Sequence, residues 1–164
     1  MTKHILRAAL LLLSSSCSSS SHWSVQHQHT GNADFNSSKL SYYAPDKVNG
    51  IDLEILSQEQ SMRIYLNVHS RRIPAFKGNP QEALIKITVE DQVFELIGAR
   101  HQGGQRLLLP ESILGILISQ LKEGKSIFIE LEGYSGIIHG EQFAKKFQKI
   151  AHPPAFESPF HLPF

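Results

Sequence analysis

One cysteine, one tryptophan and two methionines are all that the 164 residues hold of those types. A lone cysteine excludes an internal disulfide, so the fold must hold by packing. A large surplus of either charge sign is missing as well. Sixteen Lys and Arg against 15 Asp and Glu give a net charge of +1 with the histidines neutral. So weak a field does not steer polyanions, and no nucleic-acid partner is expected. No apolar run reaches the roughly 20 uncharged residues that a bilayer-spanning helix needs. Two nucleophile and phosphate motifs fail on spacing. Gly133-Tyr134-Ser135-Gly136 lacks the residue that a nucleophile elbow places between its serine and second glycine, so a turn is expected there. Gly103-Gly104 has no lysine-serine continuation, which leaves a turn rather than a phosphate loop.

What the chain does have is an address. Lys3 and Arg7 make a positive start, Ala8 to Leu13 form a short apolar run, and Ser14, Ser15 and Ser16 precede Cys17. That order is the layout of a cleavable export signal, with the cut between Ser16 and Cys17. The arrangement resembles a bacterial prolipoprotein signal. The resemblance implies a diacylglyceryl group on the Cys17 thiol, with Cys17 as the first residue of the mature protein. An ordinary secretory signal is the alternative, with Ser14 and Ser16 as the small residues before the same cut. Acylation removes the liability of an unpaired thiol in an oxidising compartment, which favours the lipid. Losing Lys3 and Arg7 takes the 16 basic residues to 14 against 15 acidic ones, a mature net charge of −1.

Residues 17–38 carry scattered polar side chains, and Ser-rich sequence of this kind predicts a lipid-anchored flexible tether. Residues 39–150 predict one globular domain. Apolar residues alternate through Ile51, Leu53 and Ile55, again through Met62 to Val68, and in four further segments up to Leu131. Ile137 and Ile138 add a brief strand. Asp91-Gln92 is expected to turn one hairpin, and Gly103-Gly104 another. Pro110 and Glu111 open a helix with Ile113, Leu117 and Leu121 on its stripe, and Gly124 closes it. Gly140 to Ile150 reads as a second helix, with Phe143, Phe147 and Ile150 on its core face. About seven short strands and two helices predict an α+β, mostly β fold: an antiparallel sheet, as a sandwich or curved half-barrel. Residues 151–164 are a Pro- and Phe-rich tail in which Phe156, Phe160, Leu162 and Phe164 all fall on even positions. Packing of these side chains on the chain's own domain is favoured over a partner-binding tail.

Chemistry-bearing residues are sparse. His22, His27 and His29 match no zinc spacing and read as polar spacer. His69, His101 and His139 fall near strand ends, where convergence with Ser135 in one pocket is what an enzyme would require. Arg71 and Arg72 form a basic loop pair, by default solvated, with anionic headgroups or glycans as the sharper alternative. The site residues expected are Cys17 for lipidation and Ser16-Cys17 for cleavage, with no catalytic, cofactor or metal residue assigned and no cofactor expected. The expected protein is a membrane-anchored envelope lipoprotein, in the outer membrane ahead of the inner, acting as a binding or structural module. Its expected partners are the lipid bilayer and an envelope protein or glycan. A secreted or periplasmic enzyme with a non-linear active site is the competing class.

Overall fold

The computed structural model describes residues 22–28, 30, 36–58 and 61–152. In chain order the elements are β1 (Trp23–Gln28), β2 (Ser37–Tyr42), β3 (Ile51–Gln58), β4 (Ser61–Val68), β5 (Glu82–Val89), β6 (Gln92–Arg100) and β7 (Arg106–Leu108). Then follow α1 (Glu111–Lys122), β8 (Ile127–Leu131), β9 (Tyr134–Ile138) and α2 (Phe143–Ala151). The fold is α+β and mostly β. The nine strands among the described residues form one antiparallel open sheet in the order β1-β2-β3-β4-β7-β6-β5-β8-β9.

Period-two patterning sets the two faces. Leu53 pairs with Leu66 and Ile55 with Ile64 on the inner face, where all four are fully buried. Ile85 and Ile87 continue that face into β5, and Ile127 and Ile129 into β8. The sheet coils until β9 lies against the start of β3, where the Tyr42 hydroxyl donates to the Ile137 carbonyl at 3.2 Å. Both helices cover the inner face. α1 buries Ile113, Leu117 and Leu121, spaced four apart on one stripe, and α2 buries Phe143, Phe147 and Ile150. Each such side chain contributes roughly 1.5 to 3 kcal/mol on full burial. The turns leading into β8 and α2 touch at Gly140, where a Cβ would stand 2.4 Å from the Lys125 carbonyl oxygen.

Three expectations need correcting. The predicted tether 17–38 contains β1 and the start of β2, so the ordered domain begins by Trp23 rather than Lys39. Trp23, Val25 and His27 do alternate toward the inner face, but only Trp23 is buried, and Val25 is half-buried. An edge strand with one strong anchor carries little periodic signal. Among the described residues the strands accordingly number nine, where about seven were expected. Finally, Val89 pairs with Gln92, so the hairpin turns on Glu90-Asp91 rather than Asp91-Gln92, with Glu90 at φ +53°. The tail from residue 153 onward lies outside the described residues.

Candidate functional site

The densest polar array lies on the outer face of β2, β3, β4 and β7. Alternation puts Asp52 and Glu54 on that face two residues apart in β3. Register then lines Ser41, Glu54, Tyr65 and Leu108 into one row, with Asn67 and Arg106 in the next. Glu54 is the centre. Its Oε1 accepts from the Arg106 guanidinium, and its Oε2 lies 3.7 Å from Lys39 Nζ. One carboxylate thus bridges two cations. Arg106 also lies 4.0 Å above the Tyr65 ring, and the His101 ring meets the same tyrosine edge-on at 5.5 Å. These two cover Tyr65, which is why an outer-face residue is buried.

Asp52, also buried, orders the neighbouring loop. Its Oδ1 accepts the Ala44 N–H at 2.8 Å and its Oδ2 lies 2.9 Å from His69 Nε2. A carboxylate only accepts, so His69 carries its proton on Nε2 and keeps Nδ1 as the basic nitrogen when neutral. The His69 carbonyl takes the Gln105 side-chain N–H at 2.9 Å. Beyond it, the Tyr134 hydroxyl accepts from the Arg71 N–H and donates to the Arg71 carbonyl at 2.8 Å. With that proton committed, Ser70 Oγ, 3.1 Å away, is the donor in its bond to Tyr134. Arg100 clamps the far side of the loop through the Ile73 and Pro80 carbonyls at 2.7 and 2.9 Å. The Arg71 and Arg72 side chains are exposed on this fixed backbone.

The histidines singled out by sequence have separate partners. His69 joins Asp52, His101 packs on Tyr65, and His139 Nδ1 lies 3.1 Å from Ser126 Oγ. Ser135 sits exposed on β9, paired across the ladder with Glu130. Among the described residues no group of three His, Cys, Asp or Glu side chains is placed to hold a metal ion. His22 packs its ring on Tyr42 at 5.5 Å, and His27 Nδ1 lies 2.8 Å from Ser38 Oγ. Both therefore belong to the domain's edge rather than to a spacer. Ser16, Cys17 and His29 lie outside the described residues.

Sequence reading missed Lys39, Asp52, Glu54, Arg106 and Tyr134 as a set. The only linear trace was the pair of acids two apart in an otherwise apolar strand, on the face that should be polar. Tyr134 was seen inside a glycine motif, where Gly133, at φ +85°, makes the turn into β9.

Burial defines one further group. Tyr42 is fully buried beside Trp23, and its phenol is raised from 10.0, chiefly by loss of water. The His139 backbone N–H opposes that shift, while Asp52 and Glu141 add to it. The chemistry on offer is that of an ordered, mainly cationic polar surface with accessible imidazoles at His69 and His101. No protein-family model, curated protein or solved structure matches the chain.

Proposed function

We propose that this protein is a lipid-anchored envelope lipoprotein whose β domain acts as a binding or structural module close to the membrane. The observation that carries the reading is the order of Lys3 and Arg7, the apolar run Ala8 to Leu13, the three serines and Cys17. The position of Trp23 supports it. Five residues lie between Cys17 and Trp23, making six steps along the chain, and Trp23 is fixed in the core. At no more than about 3.5 Å per residue, the link spans at most roughly 21 Å. An acylated Cys17 therefore holds β1 and its neighbours at the lipid surface, with the Lys39–Glu54–Arg106 array as the surface offered to an envelope protein or glycan. Two or more acyl chains, at about 0.8 kcal/mol per buried CH₂, anchor stably where one does not.

Metabolic labelling with palmitate tests the anchor. The wild-type chain should incorporate label and sediment with membranes, and Cys17→Ala should do neither. Equal incorporation by the variant would overturn the assignment.

A further inference from the structure

β7 is only three residues long, and the space it occupies between β4 and β6 continues beyond it. β6 pairs with β5 along nearly its whole length but with β7 only at Ala99 and Arg100. On the other wall, β4 pairs with β7 only from Tyr65 to Asn67. After Leu108 the chain leaves through Leu109 and Pro110 into α1, so a lane between β4 and β6 stays open. Met62 and Arg63 stand on one side, Ile97 on the other, and Pro110 and Leu114 at the helix end.

The free side of β6 follows from its hydrogen bonds. The Arg100 N–H goes to the Gln81 carbonyl on the β5 side, and the His101 N–H goes to the Arg106 carbonyl on the β7 side. Backbone direction alternates along a strand, so Val93, Glu95 and Ile97 turn their N–H and C=O groups into the lane. Among the described residues none pairs with them. Their side chains stand on the outer face, where Val93 is 59 % and Ile97 39 % exposed. A long strand with an open backbone edge and exposed apolar side chains is a template for one more strand.

We propose that the occupant is this chain's own C-terminal segment, with Phe160 to Phe164 pairing with Ile97 to Val93 of β6 in the lane. This is independent of the lipid anchor. Parity selects the segment. Phe156, Phe160, Leu162 and Phe164 are even, while Pro159 and Pro163 are odd. A strand that bonds β6 through its even N–H groups places both prolines away from that edge, the position where a strand tolerates proline. Running antiparallel to β6, as β7 does, it sets its even side chains on the outer face beside Val93 and Ile97. Reach is sufficient. Lys122 of α1 lies 4.5 Å from the Phe147 ring of α2, and Leu114 of α1 lines the lane. Those two α1 residues are roughly 12 Å apart along the helix at about 1.5 Å per residue. With Phe160 to Phe164 opposite Ile97 to Val93, residues 152–159 remain as the link from α2 and span up to roughly 26 Å at about 3.3 Å per residue.

Amide hydrogen exchange on the full chain and on a chain lacking residues 153–164 tests the pairing. In the full chain Val93, Glu95 and Ile97 should be protected, and deletion should speed their exchange at least about tenfold. Phe94 and Leu96, bonded toward β5, should stay protected and report an intact sheet. Phe160→Pro, which removes a pairing N–H, should act like the deletion, whereas His161→Pro should not. Unchanged exchange at the three odd amides after deletion would overturn the proposal, as would equal effects of the two prolines. Loss at odd and even amides alike would overturn it as well. Protection that disappears on dilution would assign the lane to the tail of a second copy instead.

Discussion

Trp23 Nε1 donates to the His139 carbonyl at 2.8 Å, tying the first strand to the turn that precedes the last helix. The same indole meets Tyr42 and Phe143 edge-on, at 5.1 and 4.8 Å between ring centres. One side chain thus joins β1, β2, α2 and the turn between β9 and α2. Trp23→Ala should cost roughly 3 to 5 kcal/mol through the cavity it leaves. Trp23→Phe keeps most of the apolar bulk but strands the His139 carbonyl, for about 1 to 3 kcal/mol. Urea unfolding of both variants checks the order. A chain with wild-type stability after Trp23→Ala would mean that β1 is not part of the cooperative unit.

The Glu54 carboxylate is 13 % exposed and the Arg106 side chain 37 %, so the pair lies between the surface and buried regimes. Exposed pairs contribute about 0 to 1 kcal/mol, and breaking a fully buried one costs about 3 to 5. Glu54→Ala should therefore destabilise by roughly 1 to 3 kcal/mol, since Arg106 keeps access to water and the Tyr65 face. A double-mutant cycle with Arg106→Ala should return a coupling of at least about 0.5 kcal/mol. Additive effects would show that the two groups act separately.

Much of the sheet was legible because its central strands obey a period of two over long stretches, as in Ile51 to Ile55 and Ile85 to Val89. α2 was legible from Phe143, Phe147 and Ile150, and α1 from its proline start and Gly124 end. β1 was not, because tertiary contacts of one tryptophan decide a segment otherwise made of Ser, Gln, His and a single valine. The polar array escaped for a different reason. Lys39, Glu54 and Arg106 are far apart in the chain, and only register brings them together. Sequence can show that Glu54 faces outward, but not which cations meet it there.

Gly140 marks a crossing that tolerates no side chain. A Cβ there would fall 2.4 Å from the Lys125 carbonyl oxygen and 2.7 Å from the Gly124 carbonyl carbon, both backbone atoms without a flexible way out. Gly140→Ala should force the α1–β8 and β9–α2 turns apart and cost at least about 1 to 3 kcal/mol. Gly115, where a Cβ would meet nothing within 4 Å, is the control. Gly115→Ala should be neutral or stabilising by up to about 1 kcal/mol, because alanine favours an α-helix interior. Thermal melts of the two variants should move in opposite directions or leave Gly115→Ala unshifted.

Tyr42 makes the fold sensitive to alkali. Its phenol is raised above 10.0 in the folded chain, chiefly because burial disfavours the phenolate, and returns to that value on unfolding. The neutral phenol also donates to the Ile137 carbonyl, a bond the phenolate cannot make. The sign follows from linkage. A raised acid binds its proton more tightly when folded, so its stabilising effect is complete below pH 10.0 and falls away as pH climbs from there through the folded value. Stability should therefore drop with rising pH in that window, and Tyr42→Phe should flatten the drop while losing one hydrogen bond at neutral pH, about 1 kcal/mol. Phenolate absorbance should show one tyrosine titrating late, together with unfolding. If the slope above pH 10.0 is the same in wild type and Tyr42→Phe, another group governs alkaline unfolding.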